Sequence, residues 1–274
     1  MKRMQGRGLQ ILLLLLCCYG MWVAACRQQI HDMPHVARED LSAYVNLTEE
    51  DGLTEEDYEK IFQQTGLTRY GMDTLIRKQQ TALLKEIQDR FFEEPQTETL
   101  RANVFCHQEW LAEPTEAQPH FVAEDGDIII TLASYLGGWR YGHCGLILDA
   151  EQGTVLEAIT YGEPSCQMDI DHWEDYPAFV ILRPDNASRE TKQAVIDYAY
   201  EELQDIPYDL FSFKTRDAYG PITKTHCSHL IWYAYHSQGY DMDFDKTPVV
   251  TPYDLIHDDD LVLVQVYGMY LEGK

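Results

Sequence analysis

The sequence predicts an α+β fold in which helices pack against an antiparallel sheet. Short β-branched runs follow one another after Pro119, and two of them are joined by the turn "AEQG". Strands and helices do not alternate regularly, as they would in a parallel βαβ sheet, and the sequence has no glycine-rich phosphate loop. The chain is long enough for one domain of ordinary size with a helical extension.

Residues 1–25 have the composition of a signal peptide. "MKRMQGRG" is basic, "LQILLLLLCCYGMWVAA" is apolar, and small residues precede Cys26. This ending resembles the lipobox of bacterial lipoproteins, whose cysteine is lipidated and becomes the new N-terminus. An ordinary secretory signal is an alternative; an uncleaved anchor is disfavoured because a bilayer span needs about 20 apolar residues. We predict lipidation at Cys26 and a location on the extracytoplasmic face of the cell membrane.

Residues 26–110 are predicted to form a helical N-terminal extension. "TEEDYEKIFQQTG" begins with a threonine cap and an acidic first turn and ends at Gly66. "YGMDTLIRKQQTALLKEIQDRFFEE" carries a broken apolar stripe, and Pro95 follows its end. We expect this extension to pack against the domain of residues 111–274.

Residues 111–274 are predicted to hold the sheet. "GDIIITLAS", "HCGLILD", "TVLEAIT" and "AFVILRP" are short runs typical of strands. "SRETKQAVIDYAYEEL" is a capped amphipathic helix, "IPYDLFSF" is a bend, and a second helix begins near Cys227. "LVLVQVYG" is the last predicted strand.

The chain has 46 acidic and 21 basic residues. This balance disfavours nucleic acid as a partner, because phosphate binding needs clustered Lys and Arg, and it disfavours docking onto anionic lipid head groups. The acidic runs "TEEDGLTEED" and "DMDFDK" lack the pattern of an EF-hand, since Lys246 stands where that loop needs glycine. We interpret both runs as solvated charge and predict neither a metal nor an organic cofactor.

Four cysteines follow Cys26, and none belongs to a CxxC pair, so zinc ribbons and thioredoxin-like redox motifs find no support. The sequence leaves open one disulfide among Cys106, Cys144 and Cys166. Cys227, in "KTHCSHLIWYAY", would lie in the first turn of a helix. A helix N-terminus stabilises a thiolate and can bind an oxyanion, although a small core cysteine is the alternative interpretation.

The candidate base for Cys227 is His143 in "YGHCGLILD". The strand that follows the turn returns antiparallel and brings its one charged residue, Glu157, within about two residues of facing His143. Together these residues could act as nucleophile, base and orienting carboxylate. We expect Cys144 to face away from the site, because successive strand residues point to opposite faces.

Each of these residues also has a structural interpretation, because a lone histidine beside glycine and a lone strand glutamate are often structural. His226 and His229 flank Cys227 and could compete with His143 as the base. His229 lies two residues further along the helix and is expected to point elsewhere.

The order "GDIII … GHCGLIL … VLEA … PYD … HCSHLIWYAY … TPYDLI" resembles the permuted NlpC/P60 papain-like hydrolases of the YiiX/YebB type. In that branch the histidine strand precedes the cysteine helix. The resemblance covers residues 121–265 and implies a circularly permuted papain-like fold. It assigns the base to His143, the carboxylate to Glu157 and the nucleophile to Cys227.

The same resemblance implies that Tyr208 of "IPYD" and Ser228, which follows the nucleophile, belong to the oxyanion and substrate-binding region. One departure is the sequence "CSH", in which His229 replaces the acidic residue that the family commonly has. This departure puts the substrate pocket and the catalytic competence of Cys227 in question.

These features predict a membrane-tethered extracytoplasmic cysteine hydrolase. The family and the location imply an amide bond of a cell-wall peptide, as in peptidoglycan, as the substrate. An acyl ester or a lipid amide is an alternative, because related permuted enzymes handle acyl groups. Two alternatives from other classes are an inactive papain-like module that binds a peptide or acyl chain, and a structural envelope lipoprotein.

Overall fold

The computed structural model describes residues 12–21, 30–101, 106–113, 120–136, 139–214 and 221–271. The described chain is a mixture of helices and two antiparallel sheets, so the predicted α+β class is confirmed. This arrangement is compatible with a papain-like fold. The division at residues 110 and 111 stays a prediction.

The larger sheet has six strands in the order β10-β9-β3-β6-β7-β8, and every neighbouring pair is antiparallel. Its central strands are mostly apolar and β-branched and are buried on both faces, as expected for a sheet covered on both sides. The strands are β3 (Ile128–Thr131), β6 (His143–Asp149), β7 (Thr154–Glu157), β8 (Cys166–Asp169), β9 (Phe179–Pro184) and β10 (Leu261–Tyr267).

The smaller sheet has the order β1-β2-β4-β5. Its strands are β1 (Thr97–Arg101), β2 (Cys106–Leu111), β4 (Ser134–Leu136) and β5 (Trp139–Arg140). β1 and β2 lie in the stretch that we expected to be helical up to residue 110. The reason for the difference is long-range pairing: β2 pairs with β4, which follows it by more than twenty residues, and local periodicity does not report such a contact.

Helices cover the larger sheet. α2 (Glu55–Thr65), α3 (Arg69–Arg77) and α4 (Leu84–Phe91) form a helical layer beside β10, whereas α1, at residues 12–21, is exposed along its whole length. α5 (Arg189–Glu202), α6 (Cys227–His236) and α7 (Pro252–His257) follow the central strands. Single 3₁₀ turns occupy Ser42–Tyr44, Thr81–Leu83 and Ile170–Asp175.

The helical layer is joined to β10 through the backbone. α2 begins with a capping box between Thr54 and Asp57 and ends at Gly66, whose φ is +71°. A Cβ at Gly66 would lie 1.9 Å from the carbonyl oxygen of Val266, so only glycine fits this close approach. The Val266 N–H then donates to the Gly66 carbonyl over 2.9 Å.

The core lies on both faces of the larger sheet. On one face, the side chains of β3, β6 and β9 pack against α5 and α6 and include Cys144 and Cys227. On the other face, Trp173 and Tyr176 pack against alternate residues of the same strands. No helix among the described residues is long and apolar enough to cross a membrane. Cys26 lies outside the described residues, and its lipidation stays a prediction.

Candidate functional site

Cys227 is the first residue of α6, the position at which the N–H groups of a helix have no partner within the helix. His226 is the N-cap, and its Nδ1 accepts the backbone N–H of His229 over 3.4 Å. Nine of the ten residues of α6 are buried, which holds the helix firmly against the sheet. The Cys227 side chain is itself 2% exposed.

His143 is the first residue of β6 and follows Gly142, whose φ of +83° turns the chain into the strand. Its ring stacks on Trp173 with a centroid distance of 5.3 Å and an interplanar angle of 14°. Its Nε2 bonds Glu157 Oε2 over 2.5 Å. Nδ1 is the nitrogen left for the hydrogen bond between His143 and the Cys227 thiol.

Glu157 is fully buried at the end of β7 and accepts hydrogen bonds from three side chains. Besides His143, Trp173 Nε1 donates to Oε1 over 3.0 Å, and His172 Nε2 lies 3.1 Å from the same oxygen. The predicted register is present: Glu157 lies one residue beyond the Leu146–Leu156 pair. The three sequence-predicted residues are therefore in one line, from thiol to imidazole to carboxylate.

The hydrogen bonds among Cys227, His143 and Glu157 shift the pKa values of all three residues towards their charged forms. Burial alone would raise the pKa of Glu157, but hydrogen bonds from His143 and His172 outweigh it and lower the pKa to about 2. Burial alone would lower the pKa of His143, but the hydrogen bonds with Cys227 and Glu157 raise it to about 10. The pKa of Cys227 is lowered, first by a hydrogen bond from Cys144 and then, against burial, by His143 and His226. The favoured state is a thiolate beside an imidazolium.

The prediction that Cys144 faces away from the site is wrong. Cys144 and Gly145 point to opposite faces of β6, as expected. α6, however, packs on the face to which Cys144 points, and it brings Cys227 to that face. His143 reaches the thiol because it is the first residue of the strand. Cys144 consequently donates to Cys227, and burial together with this hydrogen bond raises the pKa of Cys144 well above its ordinary value.

The other cysteines leave the disulfide question partly open. Cys144 and Cys166 are free thiols, Cys144 buried and Cys166 exposed. The side chain of Cys106 lies outside the described part of the chain.

Ser228 is buried next to Cys227, but its hydroxyl donates to the carbonyl of Val250 over 3.0 Å. Only its backbone N–H is then available to an oxyanion. Tyr208 is half-buried, packs against the core around α6, and forms a parallel bridge with Thr225, just before the helix. Tyr208 thus lies next to the segment that precedes α6, and its role at an oxyanion stays a prediction.

His229 does not compete with His143 as a base. It is buried, and its Nδ1 lies 3.1 Å from Thr225 Oγ1, within hydrogen-bonding distance. Burial, with the nearby His226, lowers the pKa of His229 to about 3, so the imidazole is neutral. The "CSH" departure thus places a neutral imidazole in the first turn of α6, where it is buried in the protein core.

Sequence reasoning missed His172 and Trp173, because they reach Glu157 from a 3₁₀ turn beyond β8. His172 Nδ1 lies 2.7 Å from the carbonyl oxygen of Asp169, and Nε2 faces Glu157. Both partners accept hydrogen bonds, so a protonated His172 donates from both ring nitrogens. Its pKa is raised, since these hydrogen bonds outweigh the effect of burial.

Among the described residues, Asp243, Asp245 and Asp254 place carboxylate oxygens within 4.8 Å of one another. Asp243 is fully buried, unlike the solvated charge that we expected of "DMDFDK". Its Oδ2 is paired with the ammonium of Lys214, and Asp254 Oδ2 caps α7 through Thr251. These contacts give two of the carboxylates a structural role, whereas Asp243 Oδ1 is buried and has no hydrogen-bond partner among the described residues.

Comparison with known proteins gives one weak similarity. The crystal structure of the metalloprotein YiiX from Escherichia coli O157:H7 is 18% identical, with 52% of this chain and 96% of that chain covered and a TM-score of 0.40. No protein-family model and no curated protein matches the chain. The similarity to YiiX carries no argument on activity, and the relationship to NlpC/P60 enzymes stays a prediction.

Proposed function

We propose that this protein is a cysteine hydrolase that cleaves an amide bond, and that its substrate is a cell-wall peptide. The observation that carries the proposal is the continuous line of Cys227, His143 and Glu157 at the N-terminus of a buried helix. The proposed location is the extracytoplasmic face of the membrane, with a lipid on Cys26 as the tether.

The chemistry follows from the charges of the line. The Cys227 thiolate attacks the acyl carbon, and the His143 imidazolium gives its Nδ1 proton to the leaving amine. Water then attacks the thioester, with His143 as the base, and releases the acid and the thiolate. Glu157 holds the His143 ring throughout.

The oxyanion would be stabilised by N–H groups in the first turn of α6, with Tyr208 beside them. Removal of one such donor typically lowers the rate by about 10²–10³. The Ser228 hydroxyl has no part in this step because it is bound to Val250.

A second candidate is an acyl ester or lipid amide hydrolase, and exposed aromatic residues favour it. Trp139 is 43% exposed and contacts Tyr141, whose hydroxyl bonds the N-cap His226 over 3.0 Å. Phe211, which follows the Tyr208 bridge, is 72% exposed. Apolar side chains exposed beside the site would suit an acyl chain.

A third candidate is an inactive binding module, and the low exposure of Cys227 and of His143, 2% and 5%, favours it. In a module of this kind the thiol would be an ordinary core cysteine. Thiol chemistry separates this candidate from both hydrolases.

The deciding experiment is alkylation of Cys227 against pH, in the full chain in a nonionic detergent, with the Cys227 peptide followed by mass spectrometry. We expect a thiolate to form well below the free-cysteine pKa of about 8.5. His143→Ala should remove this low-pH reactivity, whereas His35→Ala, at an exposed histidine, should not. Slow alkylation of the wild type with an ordinary pH profile, unchanged in His143→Ala, would refute the hydrolase and favour the binding module.

If Cys227 proves reactive, the substrate class is tested next. Purified peptidoglycan fragments should release new amino groups in the presence of the wild type and not of Cys227→Ser. Release of fatty acid from acyl esters, with intact peptidoglycan, would instead identify the second candidate.

A further inference from the structure

Arg90 is a buried cation without a hydrogen-bond partner. It lies near the end of α4 and is 3% exposed. Within the described part of the chain, none of its Nε, Nη1 and Nη2 atoms finds an acceptor. The guanidinium keeps its charge in proteins and offers five N–H donors, so a site that buries it normally supplies an acceptor.

The contacts of Arg90 explain where its side chain lies, but none of them neutralises its positive charge. Its Cζ lies 4.7 Å from the centroid of the Tyr267 ring, a cation–π contact with the last residue of β10. The Tyr267 hydroxyl is buried and also has no partner among the described residues. Glu93 and Glu174 attract the guanidinium through space, yet neither forms an ion pair with it in the described structure.

Arg90 and Tyr267 line the same small cavity, between the helical layer and the sheet. The cavity is small and partly open, and its volume of about 10 Å³ is close to the room that one water molecule needs. Other polar groups in its wall are already used: Thr65 Oγ1 donates to Ile61, and the Gln265 amide bonds Val122 and His120. The unpartnered groups at the cavity are therefore the Arg90 guanidinium, which only donates, and the Tyr267 hydroxyl, which can donate as well as accept.

We propose that this cavity binds one chloride ion, held by the Arg90 guanidinium and the Tyr267 hydroxyl. A halide accepts several hydrogen bonds and neutralises the buried charge, whereas a water molecule supplies no charge. The small cavity volume favours a monatomic ion over sulfate or phosphate. Because Arg90 belongs to α4 and Tyr267 to β10, the ion would fasten the helical layer to the sheet, independently of the chemistry of Cys227.

The test is thermal unfolding of the full chain in detergent, with sodium chloride exchanged for sodium gluconate at constant ionic strength. For a ligand of the native state, the wild-type Tm should rise by about 2–8 °C as chloride increases from about 5 to about 500 mM. Arg90→Met should abolish this rise, and Tyr267→Phe, which removes only the hydroxyl, should reduce it. Arg189→Met is the matched control, because Arg189 is exposed on α5.

A second expectation distinguishes a bound ion from general salt effects. At low chloride, Arg90→Met should be at least as stable as the wild type, because it removes an unpaired buried charge. At high chloride the order should reverse. Equal shifts in the wild type and in Arg90→Met, or no difference between chloride and gluconate, would overturn the proposal.

Bromide provides a direct measurement that does not depend on the folding of a variant. Crystals of the wild-type protein grown in bromide should contain an anomalous peak within hydrogen-bonding distance of Arg90 and Tyr267. A water-sized density at that position without anomalous signal would also overturn the chloride site.

Discussion

Glu157 is the residue on which the electrostatics of the site depend, because a single buried carboxylate serves two histidines. His143 and His172 both form hydrogen bonds with it, and Trp173 Nε1 donates to one of its oxygens. The Glu157 carboxylate is therefore held in one orientation, and its negative charge is shared among three hydrogen-bonding side chains. His172, 22% exposed at its side chain, links this buried charge to solvent.

Cys144 is a second thiol at the nucleophile, and its effect can be isolated. Cys144→Ala removes the hydrogen bond that contributes most to the lowered pKa of Cys227. We expect the alkylation profile of Cys227 to move to higher pH, with the dependence on His143 retained. Cys166→Ala, at an exposed thiol on β8, is the control. An unchanged profile in Cys144→Ala would mean that the Cys144 thiol does not stabilise the thiolate.

At the scale of elements, β6 and β7 approach each other closely because β6 has a glycine where they face each other. Gly145 lies two residues after His143 on the same strand. A Cβ there would lie 2.4 Å from Val155 Cγ1 and 3.1 Å from Glu157 Cγ. The missing side chain at Gly145 thus lets the Glu157 carboxylate lie across β6 and reach His143.

Gly145→Ala should therefore displace β7 and separate Glu157 from His143. We expect a loss of about 1–3 kcal/mol in the free energy of unfolding, typical of overpacking, together with a Cys227 alkylation profile shifted to higher pH. Urea denaturation and the alkylation assay measure the two effects. Gly52→Ala is a suitable control because a Cβ at Gly52 meets no atom within 4 Å. A Gly145→Ala protein with wild-type stability and reactivity would contradict this account.

At the scale of the whole molecule, the helical layer and the sheet are connected by buried polar contacts as well as by the core. Arg183 of β9 donates to Asp127 through Nη2 over 2.7 Å and to Thr74 of α3 through Nη1 over 3.0 Å. Thr68 donates its backbone N–H to Val264 of β10 over 3.0 Å. A change in any one layer should accordingly affect the stability of the whole molecule.

The pH dependence of global stability provides a test of the buried carboxylate. Glu157 has a pKa of about 2 in the folded protein against an ordinary value of 4.5, so ionised Glu157 favours the folded state. Its contribution, about 3 kcal/mol from that difference, is present above about pH 4.5 and is lost as the pH falls towards 2. The free energy of unfolding should therefore decline over this range more steeply in the wild type than in Glu157→Gln.

Urea titrations at a series of pH values measure this difference. Glu151→Gln, at an exposed position in the turn before β7, should follow the wild-type curve. Parallel curves for the wild type and Glu157→Gln would show that the carboxylate has no special stability in the folded protein.

Local sequence determined the α+β class, the start of α6 at Cys227 and the register that brings Glu157 towards His143. Each depends on short-range physics: apolar periodicity, helix capping and the geometry of one hairpin. Tertiary structure decided which face of β6 receives α6, and so placed Cys144 at the nucleophile. It also paired β2 with β4, brought His172 to Glu157 and enclosed Arg90 beside Tyr267. The geometry of these contacts follows from how whole layers and the turns between them pack, which no local pattern records.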